Sequence, residues 1–386
     1  MVWLTVGLIS VETTWLRMDP VELREEIPAL ADCTYLNWGA SGPSPRAVVE
    51  AAADFERRHQ YRSPCGEGMG MYDEALTATE ETRESVASLL GTDPGNVALT
   101  ESTAEGINHV AQGIDWQPGD VVVRTEGEHS AARFPWQRMR ELHDIEIRTI
   151  STERGRLDPD QLKDAVTDAR LLCFNSPTWN FGTHQPISDI VDIAHDHDTR
   201  VLVDAVQAPG QSRIDVESWG ADFVAASGHK WLLGLWGAGF LYVSDNALPE
   251  LTPTRVGYFS VTDPTAAEYE FKPDAGKFEL GTRSISQLVA LRTAIETMES
   301  VGVETIEQRI DRLTGRLKDG LGERLLSPED SASGLVTFAA DEPEQLVERL
   351  GADGIKIRWI PEPYACRVSV HAYNTAEEID QLLGAI

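Results

Sequence analysis

The chain has 386 residues, enough for one large or two medium domains around a sizeable core. Its 63 acidic residues against 33 basic ones give a formal net charge of −30, a surface that repels nucleic acid and anionic membranes. The four cysteines (Cys33, Cys65, Cys173, Cys366) include no CxxC pair, which fits reduced thiols in a cytoplasmic protein better than a disulfide framework or a zinc site. No apolar run approaches the roughly 18 residues that a membrane span needs.

The first 17 residues are mildly apolar but lack a basic start and an A-x-A cleavage site. They are read as an N-terminal extension rather than a signal peptide, with Met18 as a candidate true start before "DPVELREEIPAL". From about residue 85 to 245, short apolar runs alternate with amphipathic stretches. The predicted strands are "NVALT", "DVVVRT", "IEIRTI", "ARLLCFNS", "RVLVDA", "ADFVAAS" and "AGFLYVS". Helices are predicted between them at "TAEGINHVAQGI", "AARFPWQRMRELHD", "LDPDQLKDAV" and "ISDIVDIAHDHD". This alternation predicts a mainly parallel sheet with helices on both faces. Beyond residue 270 come two long helices, about 284–300 and 303–323, then "GLVTFAA", "EPEQLVERLGADG", "IKIRWI", "CRVSVHA" and "NTAEEIDQLLGAI". That β-α-β-β-α order predicts a smaller α+β domain.

Ligands of open α/β sheets bind beyond the carboxyl ends of the strands, so the residues just after each apolar run are the ones to weigh. After "NVAL", Ser102 and Thr103 open a helix, where a hydroxyl either caps the first turn or joins free N–H groups in holding an anion. "VVVRTEGE" runs into His129, and "RLLCF" into "NSPTWNFGT" with Asn180. "RVLV" ends in Asp204, and an aspartate closing a buried strand must be paired or take up a proton. After "ADFVAA" come Ser227, His229 and Lys230. Of only six lysines, Lys230 is the one set in an apolar run, "SGHKWLLGLWGAGFLYV", where the neutral, nucleophilic amine is favoured. An anion site, a flat histidine, a buried carboxylate and a lysine on one edge match pyridoxal phosphate. Its phosphate needs N–H groups and hydroxyls, its pyridine nitrogen a carboxylate, its ring a stacking partner and its aldehyde an amine.

On these motifs the chain resembles the class V aminotransferases of the type I, aspartate aminotransferase-like fold. That group includes cysteine desulfurases, selenocysteine lyases and isopenicillin N epimerase-like proteins. The resemblance runs from "TYLNWGASGPSP" at residue 34 to the C-terminus, through "STAEGIN", "EGEHSAARFPWQ", "VLVDAVQAPG" and "ASGHKWLLGLWGAGFLYV". It implies a large pyridoxal-phosphate-binding domain over 38–270 and a small domain made of 18–37 plus 271–386. It further implies that Lys230 carries the cofactor and moves protons at the substrate carbon. By the same resemblance Asp204 pairs with the pyridine nitrogen, Gln207 bonds the ring phenolate and His129 stacks on the ring. Ser102, Thr103, Ser227 and His229 then hold the phosphate, and Asn180 lies near ring and substrate. Arg367, in "CRVSVHAYNT", matches the arginine that takes the α-carboxylate of an amino-acid substrate, a task suited to its bidentate fork. Gly281-Thr282, in "FELGTRS", resembles the segment by which a second subunit reaches the phosphate, which implies a homodimer.

One departure bears on the reaction. Cysteine desulfurases carry a nucleophilic cysteine on a loop before that arginine, but here "IKIRWIPEPYACR" is short. Its thiol, Cys366, adjoins Arg367 on a predicted strand, where alternation points it away. "GTRS" also leans toward the epimerase-like branch. The expected function is a pyridoxal-phosphate enzyme acting on an amino acid by transamination, C–S lysis or epimerisation, with cysteine desulfurase or selenocysteine lyase as the alternative. A non-catalytic binding protein of this fold is a rival of another class. A Rossmann dehydrogenase lacks its fingerprint, because "GLWGAGF" precedes a strand instead of opening a helix. No metal site is assigned: "HDHD" at 195–198 is read as a solvated helix end, and Trp231 and Trp236 as core or interface residues. The acidic excess with scarce lysine is the composition expected of a protein adapted to high salt.

Overall fold

The computed structural model describes residues 18–65 and 70–386; the expected extension, residues 1–17, lies outside them. In chain order the strands are β1 (Thr34–Tyr35), β2 (Val97–Thr100), β3 (Val121–Thr125), β4 (Glu146–Ile150), β5 (Ala169–Asn175), β6 (Arg200–Asp204), β7 (Phe223–Ser227), β8 (Gly239–Val243), β9 (Leu335–Phe338), β10 (Ile355–Lys356), β11 (Arg358–Pro361) and β12 (Tyr364–Ser369). The α-helices are α1 (Pro20–Glu25), α2 (Arg46–Tyr61), α3 (Met71–Leu90), α4 (Thr103–Gly113), α5 (Ser130–His143), α6 (Pro159–Val166), α7 (Ile187–His195), α8 (Val216–Trp219), α9 (Ile285–Val301), α10 (Val303–Leu321), α11 (Pro343–Ala352) and α12 (Ala376–Ala385).

The large sheet has the order β2-β8-β7-β6-β5-β3-β4. β3 to β7 pair in parallel, while β8 runs antiparallel to both β2 and β7. The link 228–238, which carries Lys230, holds no helix and returns the chain directly beside β7, so it makes a reversal and not a crossover. β7 and β8 are buried along their whole length, as strands covered on both faces must be. Their side chains alternate between two apolar layers. Val203, Val224 and Phe240 pack with Ile190, Leu291 and Ile295, while Leu202, Ala225 and Leu241 pack with Ile107, Val110 and Trp136. Burying each of the Val, Leu, Ile and Phe side chains among these contributes about 1.5–3 kcal/mol, so the sheet is held from both faces.

Two helices beyond the sequence reading, α2 and α3, pack on α9 through small residues. Val48 and Ala52 meet Ala290 and Ala294, and Phe55 and Ala78 meet Val289. The C-terminal region is a second sheet, β11-β12-β9, antiparallel throughout, with α10, α11 and α12 contributing to its core. The run "IKIRWI" is divided between β10, which pairs in parallel with β1, and β11, which pairs with β12. Residues near the N-terminus are thereby joined to this region. Arg24 pairs with Glu378 at 2.7 Å and donates to the Tyr373 carbonyl at 2.7 Å, and the Trp38 indole donates to Asn374 at 2.8 Å.

Candidate active site

Because β3, β5, β6 and β7 run the same way, their carboxyl ends share one edge, and His129, Asn180, Asp204 and Ser227 to Lys230 all follow from it. Asp204 is the last residue of β6 and is buried. Its Oδ1 accepts the Val206 N–H at 3.1 Å, and burial raises its carboxyl pKa while that hydrogen bond and the nearby Lys230 charge oppose the rise. Such a group gains most from a cation brought against it.

Lys230 is half-buried on the turn that follows β7. Burial lowers its amine to about 8; Asp204 opposes this, while Arg367 and Arg358 add to it. The turn is held from the other side by the "GASG" loop, since Gly42 N–H donates to the His229 carbonyl at 2.8 Å. A Cβ at Gly42 would strike the Lys230 carbonyl oxygen, so only glycine lets the two backbones lie this close.

The candidate anion site at the start of α4 draws on both strand and helix. Ser102 is the N-cap, and its hydroxyl accepts the Glu105 N–H at 3.2 Å. Ser227 Oγ lies 2.7 Å from both the Thr103 N–H and the Thr103 hydroxyl, so these three residues converge. His229 faces Trp236 at 5.0 Å between ring centroids, and burial beside Lys230 lowers its imidazole to about 4. Trp236 is 70 % exposed, whereas Trp231 is fully buried. The indole of Trp231 donates to Gln207 Oε1 at 2.7 Å, and Gln207 Nε2 donates to the Gly39 carbonyl at 3.1 Å. The amide is thus fixed in orientation with one N–H to spare.

His129 is the N-cap of α5, with Nδ1 accepting the Ala131 N–H at 3.2 Å. Burial, then the charges of Lys230, Arg358 and Arg367, lower it to about 4, leaving a neutral ring at the site. Asn180 is buried, and its side chain reaches the Glu362 carbonyl at 3.4 Å. Arg367 enters from β12 and is 1 % exposed. Its Nη1 donates to the Trp179 carbonyl at 2.7 Å, while Nε and Nη2 are buried with no hydrogen-bond partner among the described residues. Burial and the neighbouring Arg358 push its guanidinium down to about 9. A buried guanidinium with two orphaned donors is costly until an anion fills it.

Thr282 stands apart from this group. It is exposed, its hydroxyl lies 2.5 Å from that of Tyr258, and it lines a surface cavity of about 390 Å³ with Tyr72, Tyr258 and Phe55. Cys366 lies in the core on the opposite side of β12 from Arg367, with Sγ near the Pro343 carbonyl at 3.7 Å and its thiol pushed up to about 11 by burial. His195, in "HDHD", is tied to the buried Asp222 at 2.9 Å.

The sequence reading missed two residues. Arg358 sits directly across from Arg367 in the β11–β12 register, because Glu362 and Pro363 alone join the strands. A tight hairpin of that length is the signal that could have paired them. Glu128 is buried just before His129, and nothing in an acidic chain marks one glutamate as buried.

Residues 34–382 match the family model described as aminotransferase class-V. A probable cysteine desulfurase of Methanothermobacter thermautotrophicus is 32% identical over 94% of this chain and 96% of its own. The isopenicillin N epimerase of Streptomyces clavuligerus is 30% identical over 91% of this chain and 93% of its own. Among solved structures, the complex of the cystine C–S lyase C-DES with its product cysteine persulfide superposes with a TM-score of 0.88. It is 27% identical and covers 93% of this chain and 98% of that one.

Pyridoxal phosphate fits the residues present. Asp204 is a buried carboxylate short of a cationic partner, Ser102, Thr103 and Ser227 converge at a helix start, and Lys230, its amine lowered to about 8, follows β7 on the same edge. The chain belongs to the aminotransferase class-V family: it is a pyridoxal-phosphate enzyme of the type I fold that acts on an amino acid.

Proposed function

We propose that the enzyme is a C–S lyase, eliminating sulfur from the β-carbon of a cysteine-derived amino acid, with cystine-like disulfides as its best substrates. The observation that carries this reading is the β11–β12 hairpin. Closed by Glu362 and Pro363, it has no loop on which a cysteine could swing to the substrate, and Cys366 faces the core. A reaction whose sulfur leaves directly needs no protein thiol, unlike the persulfide route of the desulfurase alternative.

Pyridoxal phosphate, when bound, supplies the electron sink that weakens the bonds at the substrate's α-carbon. The protein's groups do the rest. Arg367 takes the α-carboxylate with its two free donors, and Asn180 closes the same side. Lys230 removes the Cα proton, the Cβ–S bond breaks with its electron pair on sulfur, and hydrolysis of the remainder gives pyruvate and ammonia. From a disulfide amino acid the leaving group is a persulfide. Arg358, which forms no ion pair among the described residues, faces the same cleft and suits the distant carboxylate of such a substrate.

In this reading Asp204 holds the pyridine nitrogen, Gln207 the phenolate through its spare N–H, and the neutral ring of His129 the cofactor's face. Ser102, Thr103, Ser227 and His229 hold the phosphate. Residues 38–270 form the cofactor-binding domain, and 18–37 with 271–386 the smaller one. The exposure of Thr282 beside Tyr72 and Tyr258, themselves 65 % and 46 % exposed, supports a homodimer in which Thr282 completes the partner's phosphate site.

The test is a product assay on purified enzyme given cystine, S-alkylcysteines or cysteine. Pyruvate and ammonia should form from cystine fastest, and Cys366→Ala should retain wild-type kcat. Alanine as the product, or loss of activity in Cys366→Ala, would return the reading to a desulfurase; a change of configuration without pyruvate would make it an epimerase.

A further inference from the structure

Glu128 is 3 % exposed, ionisable and outside the machinery assigned above. Its Oε1 accepts two hydrogen bonds, from the Thr125 hydroxyl at 2.6 Å and from Asn175 Nδ2 at 2.9 Å, while Oε2 is buried without a partner. The Asn175 side chain does not stop there. Its Oδ1 accepts the Trp179 N–H at 3.1 Å, and the Trp179 carbonyl receives Arg367 Nη1 at 2.7 Å. The Trp179 indole also returns to the Gly127 carbonyl at 2.8 Å, beside Glu128 in the chain. One carboxyl therefore ties the turn that leads to His129 to the loop that seats Arg367, at the carboxyl ends of the neighbouring strands β3 and β5.

We propose that Glu128 is a positioning residue, which through Asn175 and the Trp179 backbone fixes the guanidinium of Arg367 and so sets the enzyme's affinity for the substrate's α-carboxylate. The inference rests on the reading of Arg367 as the carboxylate holder. It explains why a carboxyl is kept in a place where a charge is costly. Burial, with Asp204 nearby, raises Glu128 to about 8, so at neutral pH it is an uncharged acid whose Oε1 accepts two donors at once. An uncharged Glu128 also leaves Asp204 free of a like-charged neighbour. Arg367 needs such a support because the Trp179 carbonyl is the one acceptor that its guanidinium has in the structure among the described residues.

The experiment combines steady-state kinetics with cystine and amide hydrogen exchange at Trp179, on cofactor-loaded Glu128→Leu, Glu128→Gln, Arg367→Ala and the double variant Glu128→Leu/Arg367→Ala. Loosening one charge-assisted contact should raise KM about tenfold in Glu128→Leu, with kcat altered less than about threefold and Trp179 exchanging faster. Glu128→Gln, uncharged and with the same Oε1 acceptor, should stay within about twofold of wild type. In the Arg367→Ala background Glu128→Leu should leave KM unchanged, because the two act in series. An undiminished effect of Glu128→Leu in that background, or a KM unmoved in Glu128→Leu itself, would overturn the proposal. A wild-type KM for Arg367→Ala would sink the parent reading first. If Glu128→Leu does not fold, Asn175→Ala breaks the same chain one link later and must give the same pattern.

Discussion

In the proposed reading Lys230 is the residue on which the chemistry turns, and its environment makes a quantitative demand. An ordinary lysine with a pKa of about 10.4 is only about 0.4 % neutral at pH 8, whereas a group lowered to about 8 is half neutral there. The rate at which cofactor-free protein takes up pyridoxal phosphate should therefore rise with pH around a midpoint near 8, as read by the growth of the imine absorbance. A midpoint above 10 would mean that the amine is not desolvated. The linkage follows in sign: the unfolded chain binds more protons than the folded one between the two values. The folded, cofactor-free protein is therefore destabilised as pH falls from the unfolded pKa through about 8. The placement of Lys230, Asp204 and His129 on one edge was legible in the sequence because apolar runs mark the strands and the residues after them mark that edge. Glu128 and Arg358 were not, since burial of one acid among 63 and a cross-strand register leave no local pattern.

At the level of elements, the sequence showed the parallel strands through their β-branched runs, and it missed features whose apolar pattern is short or disguised. β1 is too brief for alternation to register, and its pairing with β10, the first part of the predicted run "IKIRWI", joins residues more than 300 apart. α3 buries Thr79, Thr82 and Arg83 between Ala78 and Val86, which interrupts the apolar pattern of its inner face. The Arg83 guanidinium is paired there with the buried Glu279, whose carboxyl it holds below the usual range. The close approach of the "GASG" loop to the Lys230 turn makes a prediction of its own. Gly42→Ala must displace one of the two backbones, costing about 1–3 kcal/mol of stability and moving Lys230 with it. Denaturant midpoints and the pH midpoint of cofactor uptake should shift together. A Gly42→Ala protein matching wild type in both would show that the contact can relax.

For the whole molecule, a net charge of −30 sets the conditions under which the fold holds. Many of its ion pairs, such as Arg316–Asp380 and Arg138–Glu141, lie on the surface and contribute little each. Self-repulsion of the acidic surface is screened over about 10 Å at 0.1 M salt and about 3 Å at 1 M. The Tm should accordingly be higher in molar KCl than in dilute buffer, and equal stability in the two would count against adaptation to high salt. The pairing of β1 with β10 carries a different consequence, one of timing. On the ribosome, Thr34 to Trp38 emerge more than 300 residues before Ile355 and Asn374, which give them their strand partner and the Trp38 indole its acceptor. The lysine-bearing sheet can be complete while the arginine-bearing hairpin is still unmade. On the proposed roles of Lys230 and Arg367, a chain interrupted in that interval would hold the means to capture a cofactor but not the means to choose what meets it.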